Sequence, residues 1–180
     1  MPDQSPPPAI AAADITLRDG RSVHLRSLAT ADEAELLQAF ERLSDAARYM
    51  RFMRVIREPD ARRLHAVLAS FPEAGFGIVA TVPAGDGIDI VGSCIAVFAA
   101  DRPECEFAIT VASEYGGTGL ATRLMTQLID EARHRGMKEM EGFVLNQNQP
   151  MLRLATRLGF RIQRDPDDAT IRICRLTLAE

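Results

Sequence analysis

The feature that most constrains this chain is the run Glu114-Tyr-Gly-Gly-Thr-Gly-Leu-Ala121, a glycine-rich turn between the apolar stretch Phe107-Ala-Ile-Thr-Val111 and a long amphipathic segment. A strand that feeds a helix through a turn nearly free of side chains gathers unpaired backbone N–H groups and the positive end of a helix dipole at one point. Such a point suits the phosphates of a ligand. Beyond the turn, Leu120, Leu124, Leu128 and Ala132 recur every four residues, and Met125 and Ile129 widen the stripe, which predicts a helix with one buried face. Arg133, His134 and Arg135 suit the dipole at its end, and Gly136 can take the left-handed position beyond it.

Two familiar phosphate loops do not fit. A Walker loop needs a Lys after its last glycine, and Gly119 is followed by Leu120. A dinucleotide fingerprint needs a third glycine where Thr122 stands, and an acid after the next strand, which Lys138 to Val144 does not supply. Glycines also occur in strand-to-helix turns that bind nothing, so the turn alone names no ligand.

Composition narrows the field. The 180 residues suffice for one domain with a real core. No apolar run approaches the roughly 18 residues of a membrane span, so a soluble, cytoplasmic protein without membrane contact is expected. A net charge of -4 and the lack of a basic stripe with interleaved aromatics argue against nucleic acid as a partner. Lys138 is the only lysine among 21 basic residues, which leaves lysine-based covalent chemistry almost no candidates. Cys94, Cys105 and Cys174 are odd in number and lack Cys-x-x-Cys spacing, so they read as packed thiols. His24, His65 and His134 form no His-x-x-x-His pair, and no metal site is expected. There is no Gly-x-Ser-x-Gly elbow for a hydrolase nucleophile.

Met1 to Ala13 holds four prolines and no basic-then-apolar pattern, and reads as a disordered tail ahead of a single domain over 14–180. Asp19-Gly20 between Ile15-Thr-Leu17 and Ser22 to Arg26 predicts a hairpin. Thr30-Ala-Asp-Glu33 has the pattern of a capping box before a helix through Leu43, and Ser44 and Asp60 start two more helices. Phe76 to Val82, Ile88 to Phe98 and Glu104 to Val111 read as strands. After the main helix come a strand (Met137 to Leu145), a helix (Pro150 to Leu158) and a final hairpin from Phe160 to Leu178. Helices, antiparallel strands, then strand-helix-strand-helix-strand predict an α/β fold with a mixed sheet.

On these residues the chain resembles the GNAT acetyltransferase superfamily, and most nearly the acetyltransferase domain of bacterial Pat-type protein lysine acetyltransferases. The superfamily turn, [Gln/Arg]-x-x-Gly-x-[Gly/Ala], falls on Gly116-Gly-Thr-Gly-Leu-Ala121, with Gly119 and Ala121 matching and Gly116 replacing the usual Gln or Arg. Phe40-Glu-Arg-Leu-Ser44 with Arg48-Tyr-Met-Arg-Phe52, Glu106-Phe-Ala-Ile109, and Asn148 to Phe160 extend the likeness over Ile15 to Leu178. The resemblance implies a GNAT fold, a mostly antiparallel twisted sheet flanked by helices. It also implies acetyl-CoA as co-substrate, no metal, and direct transfer to an amine, most often a protein lysine, by a monomer or homodimer.

Acetyl transfer to an amine needs a base, because a lysine amine titrates near 10.4 and must lose a proton before it attacks. Period 2 puts Glu104 and Glu106 on one strand face, Cys105 and Phe107 on the other. The resemblance places the catalytic glutamate at Glu106, acting through water, with Glu104 a weaker substitute. The N–H of Ile109 would polarise the thioester carbonyl if its strand bulges away from its neighbour. The resemblance sets the cofactor on Ile109, Thr110, Val111, Gly116, Gly117, Thr118, Gly119, Leu120, Ala121 and Asn148. Asn148 serves equally as a helix N-cap. The tyrosine that protonates the leaving thiolate in many GNAT enzymes is replaced by Ala155. The helices between Thr30 and Ser70 would line the acceptor cleft. A small-molecule amine acetyltransferase and an acetyl-CoA sensor without chemistry remain alternatives.

Overall fold

The computed structural model describes residues 10–179. The chain runs β1 (Ala13–Thr16), β2 (Ser22–Ser27), α1 (Glu33–Glu41), α2 (Asp45–Phe52), α3 (Ala61–Ala69), β3 (Gly75–Ala84), β4 (Gly87–Phe98) and β5 (Glu104–Val111). It continues with α4 (Leu120–His134), β6 (Glu139–Leu145), α5 (Gln149–Arg157), β7 (Arg161–Arg164) and β8 (Ile171–Thr177). The strands form one sheet in the order β1-β2-β3-β4-β5-β6-β8-β7. Among the described residues only β5 and β6 pair in parallel, the arrangement expected when α4 carries the chain from one to the other.

The alternation seen in the sequence sorts the two faces. Along β5, Cys105 and Phe107 are buried while Glu106 is exposed, so the period-2 reading holds. On the face of Phe107, α4 lays down Leu120, Leu124, Met125 and Leu128, all fully buried. Leu124 and Leu120 press so close to Gly92 that a Cβ there would sit 2.9 and 3.2 Å from them. Gly142 on β6 leaves room for the Phe107 ring, which meets Phe160 edge-on at 5.3 Å between centroids. The opposite face carries α1 to α3, and Glu106 points to that side.

The helix starts follow local hydrogen bonding. Ser44 Oγ accepts from the Ala47 N–H at 3.1 Å, and Asp60 Oδ1 from the Arg63 N–H at 2.9 Å, as the sequence predicts. The expected Thr30/Glu33 capping box does not form. Thr30 to Asp32 is a 3-10 turn, and it is Asp32 Oδ2 that accepts from the Ala29 N–H at 2.9 Å. Arg26 explains the change: its guanidinium grips both Asp32 oxygens, at 2.7 and 2.8 Å, and draws the carboxylate inward. Glu33 turns instead to His65 on α3, at 2.8 Å.

Most of the tail expected over 1–13 lies outside the described residues. Within its last four positions, Ile10 packs against the core and Ala13 already pairs with Leu25.

Candidate active site

A cleft of about 490 Å³ opens beside the C-terminal half of β5. Its origin is in the sheet. Strands β5 and β6 pair only from Glu104 with Glu139 to Glu106 with Glu141, and beyond that point they separate. Strand β5 meanwhile keeps an unbroken register with β4 from Cys105 to Val111. The expected bulge in β5 is therefore absent. The register shift lies one strand further on, between Ala80 and Thr81 of β3 opposite β4, and the gap comes from strand divergence.

The direction of each β5 amide follows from its ladder with β4. The Ala112 N–H donates to the Val91 carbonyl at 2.9 Å, and the Glu104 carbonyl accepts from the Ala99 N–H at 2.8 Å, so even-numbered residues turn their amides to β4. Ile109 and Val111 consequently aim their N–H groups into the gap. Thr110 lies between them in the cleft wall with its amide turned to β4.

The glycine turn forms the other wall. Gly117 and Gly119 have φ of +72° and +87°, in the left-handed region where a side chain is strained, and Gly119 is the N-cap of α4. Gly116, at φ -60°, has no such need. The buried Thr118 fixes the loop from within, its Oγ1 donating to the Tyr115 carbonyl at 2.6 Å and accepting from the Leu120 N–H at 3.4 Å. The N–H groups of Gly117, Gly119, Ala121 and Thr122 meet no acceptor among the described residues. These donors and the start of the 15-residue helix α4 face the same space.

Two arginines from the β1–β2 turn join this loop, and nothing local in the sequence announces them. Arg21 Nη2 donates to the Glu114 carbonyl at 2.6 Å, and its guanidinium stacks 4.0 Å above the Tyr115 ring. The Arg18 N–H donates to the Thr118 carbonyl at 3.1 Å. Its side chain reaches beside Gly119, with Nε 3.3 Å from where a Cβ would stand, and lines the cleft.

Glu106 sits at the far end, facing α2 and α3. Although the residue is exposed overall, its carboxyl is held above the ordinary glutamate range, first by partial loss of solvent in the cleft and then by the charge of Glu141 on β6; Arg51 and Arg63 pull the other way. Asn148 lines the cleft and also caps α5, accepting from the Met151 N–H at 3.3 Å, so both roles foreseen for it are compatible. Glu104 turns to Arg102 at 3.1 Å and does not line the cleft. Ala155 is fully buried and presents nothing to the cleft. The thiols are no nucleophiles: desolvation pushes Cys105 up to about 12 and Cys174 to about 11.

The acetyltransferase (GNAT) domain family matches residues 22–161. A curated acetyltransferase of Pseudomonas aeruginosa is 36% identical over 163 residues, 91% of this chain and 88% of that protein. The crystal structure of the GNAT domain of PAT from S. lividans superposes with a TM-score of 0.82 at 22% identity, covering 92% of this chain and 96% of that one. A Salmonella typhimurium structure determined with its cofactor acetyl-CoA gives 0.68 at 22% identity, over 88% and 95% of the two chains. A cAMP-binding acyltransferase from Mycobacterium smegmatis gives 0.65 at 22% identity, over 95% of this chain but 48% of that one. The divergent strand pair, the glycine turn and the family match lead to one conclusion: the chain belongs to the GNAT acetyltransferase family.

Proposed function

We propose that this protein transfers the acetyl group of acetyl-CoA directly to an amine, most characteristically a lysine side chain of a protein, with Glu106 as general base. The observation that carries the reading is the separation of β5 from β6, because it exposes the Ile109 N–H and Glu106 to one cleft that continues to the glycine turn.

The residues present fit the co-substrate. Unpaired N–H groups of Gly117, Gly119, Ala121 and Thr122 would take its pyrophosphate, in line with the α4 dipole. Arg18 would supply the cation that Gly116 does not, from a different element. The Val111 amide and the Asn148 side chain would hold the pantetheine arm, leaving the Ile109 N–H for the acyl group. When bound, acetyl-CoA supplies the activated acetyl thioester.

Glu106, through a water, removes the proton of the incoming ammonium. A raised pKa suits that task, since it brings the base closer to the amine it must deprotonate. The Ile109 N–H polarises the acyl carbonyl. At the tyrosine position common in the superfamily, Ala155 supplies no proton, so the sulfur of CoA would leave as the thiolate while the amine's proton passes to Glu106. A protein lysine as acceptor is supported by the resemblance to Pat-type enzymes and by the likeness in fold to the GNAT domain of S. lividans PAT.

Labelled acetyl-CoA offered with a protein extract and with a panel of small amines separates the readings. Label on protein lysines is expected. Label on small amines alone would move the function to metabolite acetylation, and binding without transfer would leave a sensor.

A further inference from the structure

The acceptor end of the cleft holds a cation that the mechanism above does not use. Arg51, on the last turn of α2, lines the cleft with Glu106, and its Nε is sealed from solvent without a hydrogen-bond partner. Among the described residues no carboxylate lies within 4.0 Å of its guanidinium and no carbonyl accepts from it. Arg48, one turn earlier on α2, leaves its Nε equally unpartnered but differs at the fork of its guanidinium. Its terminal nitrogens donate to the Arg57 and Glu41 carbonyls at 2.9 and 3.0 Å, and its guanidinium covers Phe40. Arg51 has only the Phe52 ring, 4.7 Å from its Cζ.

Arg51 is half-buried, and holding its Nε away from water without a partner is costly, because that desolvation is not offset by a hydrogen bond. Burial lowers its pKa to about 10, so it stays charged at neutral pH. Glu106 is near enough to feel Arg51 yet does not pair with it, and Arg63 of α3 adds a second positive charge at the same end. The carboxylate is left free for an amine and the guanidinium free for an anion.

Resting on the acetyltransferase reading, we propose that Arg51 is the acceptor-specificity residue: substrates bring their amine to Glu106 and, a short distance from that amine, a carboxylate to the guanidinium of Arg51. In a protein this describes a lysine with an acidic neighbour, and among small molecules a free amino acid. Arginine suits the task, since its planar fork can grip a carboxylate through two bonds.

The test compares kcat/KM for peptides differing only in Asp or Asn beside the lysine, and for free lysine against lysinamide, using wild type, Arg51→Met and Arg51→Lys. The wild type is expected to favour the carboxylate-bearing member of at least one pair by about tenfold, a charge-assisted bond's worth of discrimination. Arg51→Met should bring that ratio close to one, with Arg51→Lys in between. Thermal melting and acetyl-CoA binding report on folding, and methionine in place of a half-buried charge with an unpartnered Nε should not lower stability. The pair that shows the preference identifies the source of the carboxylate. No preference in the wild type, or the same preference in Arg51→Met, would overturn the assignment while leaving the acetyltransferase reading intact. Acetyl-CoA binding without transfer to any acceptor would overturn both.

Discussion

Glu106 is poised by neighbours that can be changed one at a time. Glu141, its cross-strand partner on β6, raises its pKa by repulsion, while Arg175 holds Glu141 at 3.2 Å. The acidic limb of kcat/KM should therefore lie above the ordinary glutamate range, and Glu141→Gln should move it to lower pH, which a pH profile checks. A carboxyl whose folded pKa is raised favours the fold below its unfolded pKa and loses that contribution as pH rises through the folded value. Glu106→Gln should thus melt no lower than wild type at neutral pH. At the other end of the cleft, Gly116 has an ordinary φ of -60°, and its only close neighbour is the Ser113 carbonyl, 3.2 Å from a Cβ. Arg18→Ala should weaken acetyl-CoA about five- to twentyfold, as loss of one exposed phosphate contact would, and Gly116→Arg in that background should recover part of it. Titration calorimetry reads both. No recovery would mean that the Gly116 side of the loop does not face the pyrophosphate.

At the scale of elements, the link between β2 and α1 depends on one partly buried pair. Burial works against ionisation of Asp32, but the hydrogen bonds from Arg26 and from the Ala29 N–H outweigh it, and its pKa is lowered. That contribution is present above the unfolded value near 3.9 and is lost as pH falls through the folded one. Asp32→Ala, which leaves Arg26 without its partner, should cost about 2 kcal/mol at neutral pH and less as pH falls through the folded pKa of Asp32, measurable by denaturant titration. The elements themselves were legible from periodicity. Strand β5 spans Glu104–Val111 as expected, and α4 starts at Leu120 and ends before a left-handed Gly136. The capping at Asp32 was not legible, because the residue that redirects it, Arg26, sits on another element. The same holds for the cleft: the glycine turn and Glu106 could be picked out locally. Arg18, Arg51 and the separation of β5 from β6 arise only when distant segments pack.

For the whole molecule, the sheet divides the work. The α4 face provides the packed core that holds the glycine turn against β4 and β5, and the face of α1 to α3 provides the charged surround of Glu106. The gap between β5 and β6 joins the two sides. The proposed function puts binding and chemistry on different residues, and the most direct measurement exploits this: acetyl-CoA affinity and amine acetylation rate in wild type and Glu106→Gln under one set of conditions. The expected result is an unchanged affinity with a rate lower by about two to four orders of magnitude, the usual contribution of a positioned base. Full activity in Glu106→Gln would contradict the account and remove Glu106 from the reaction.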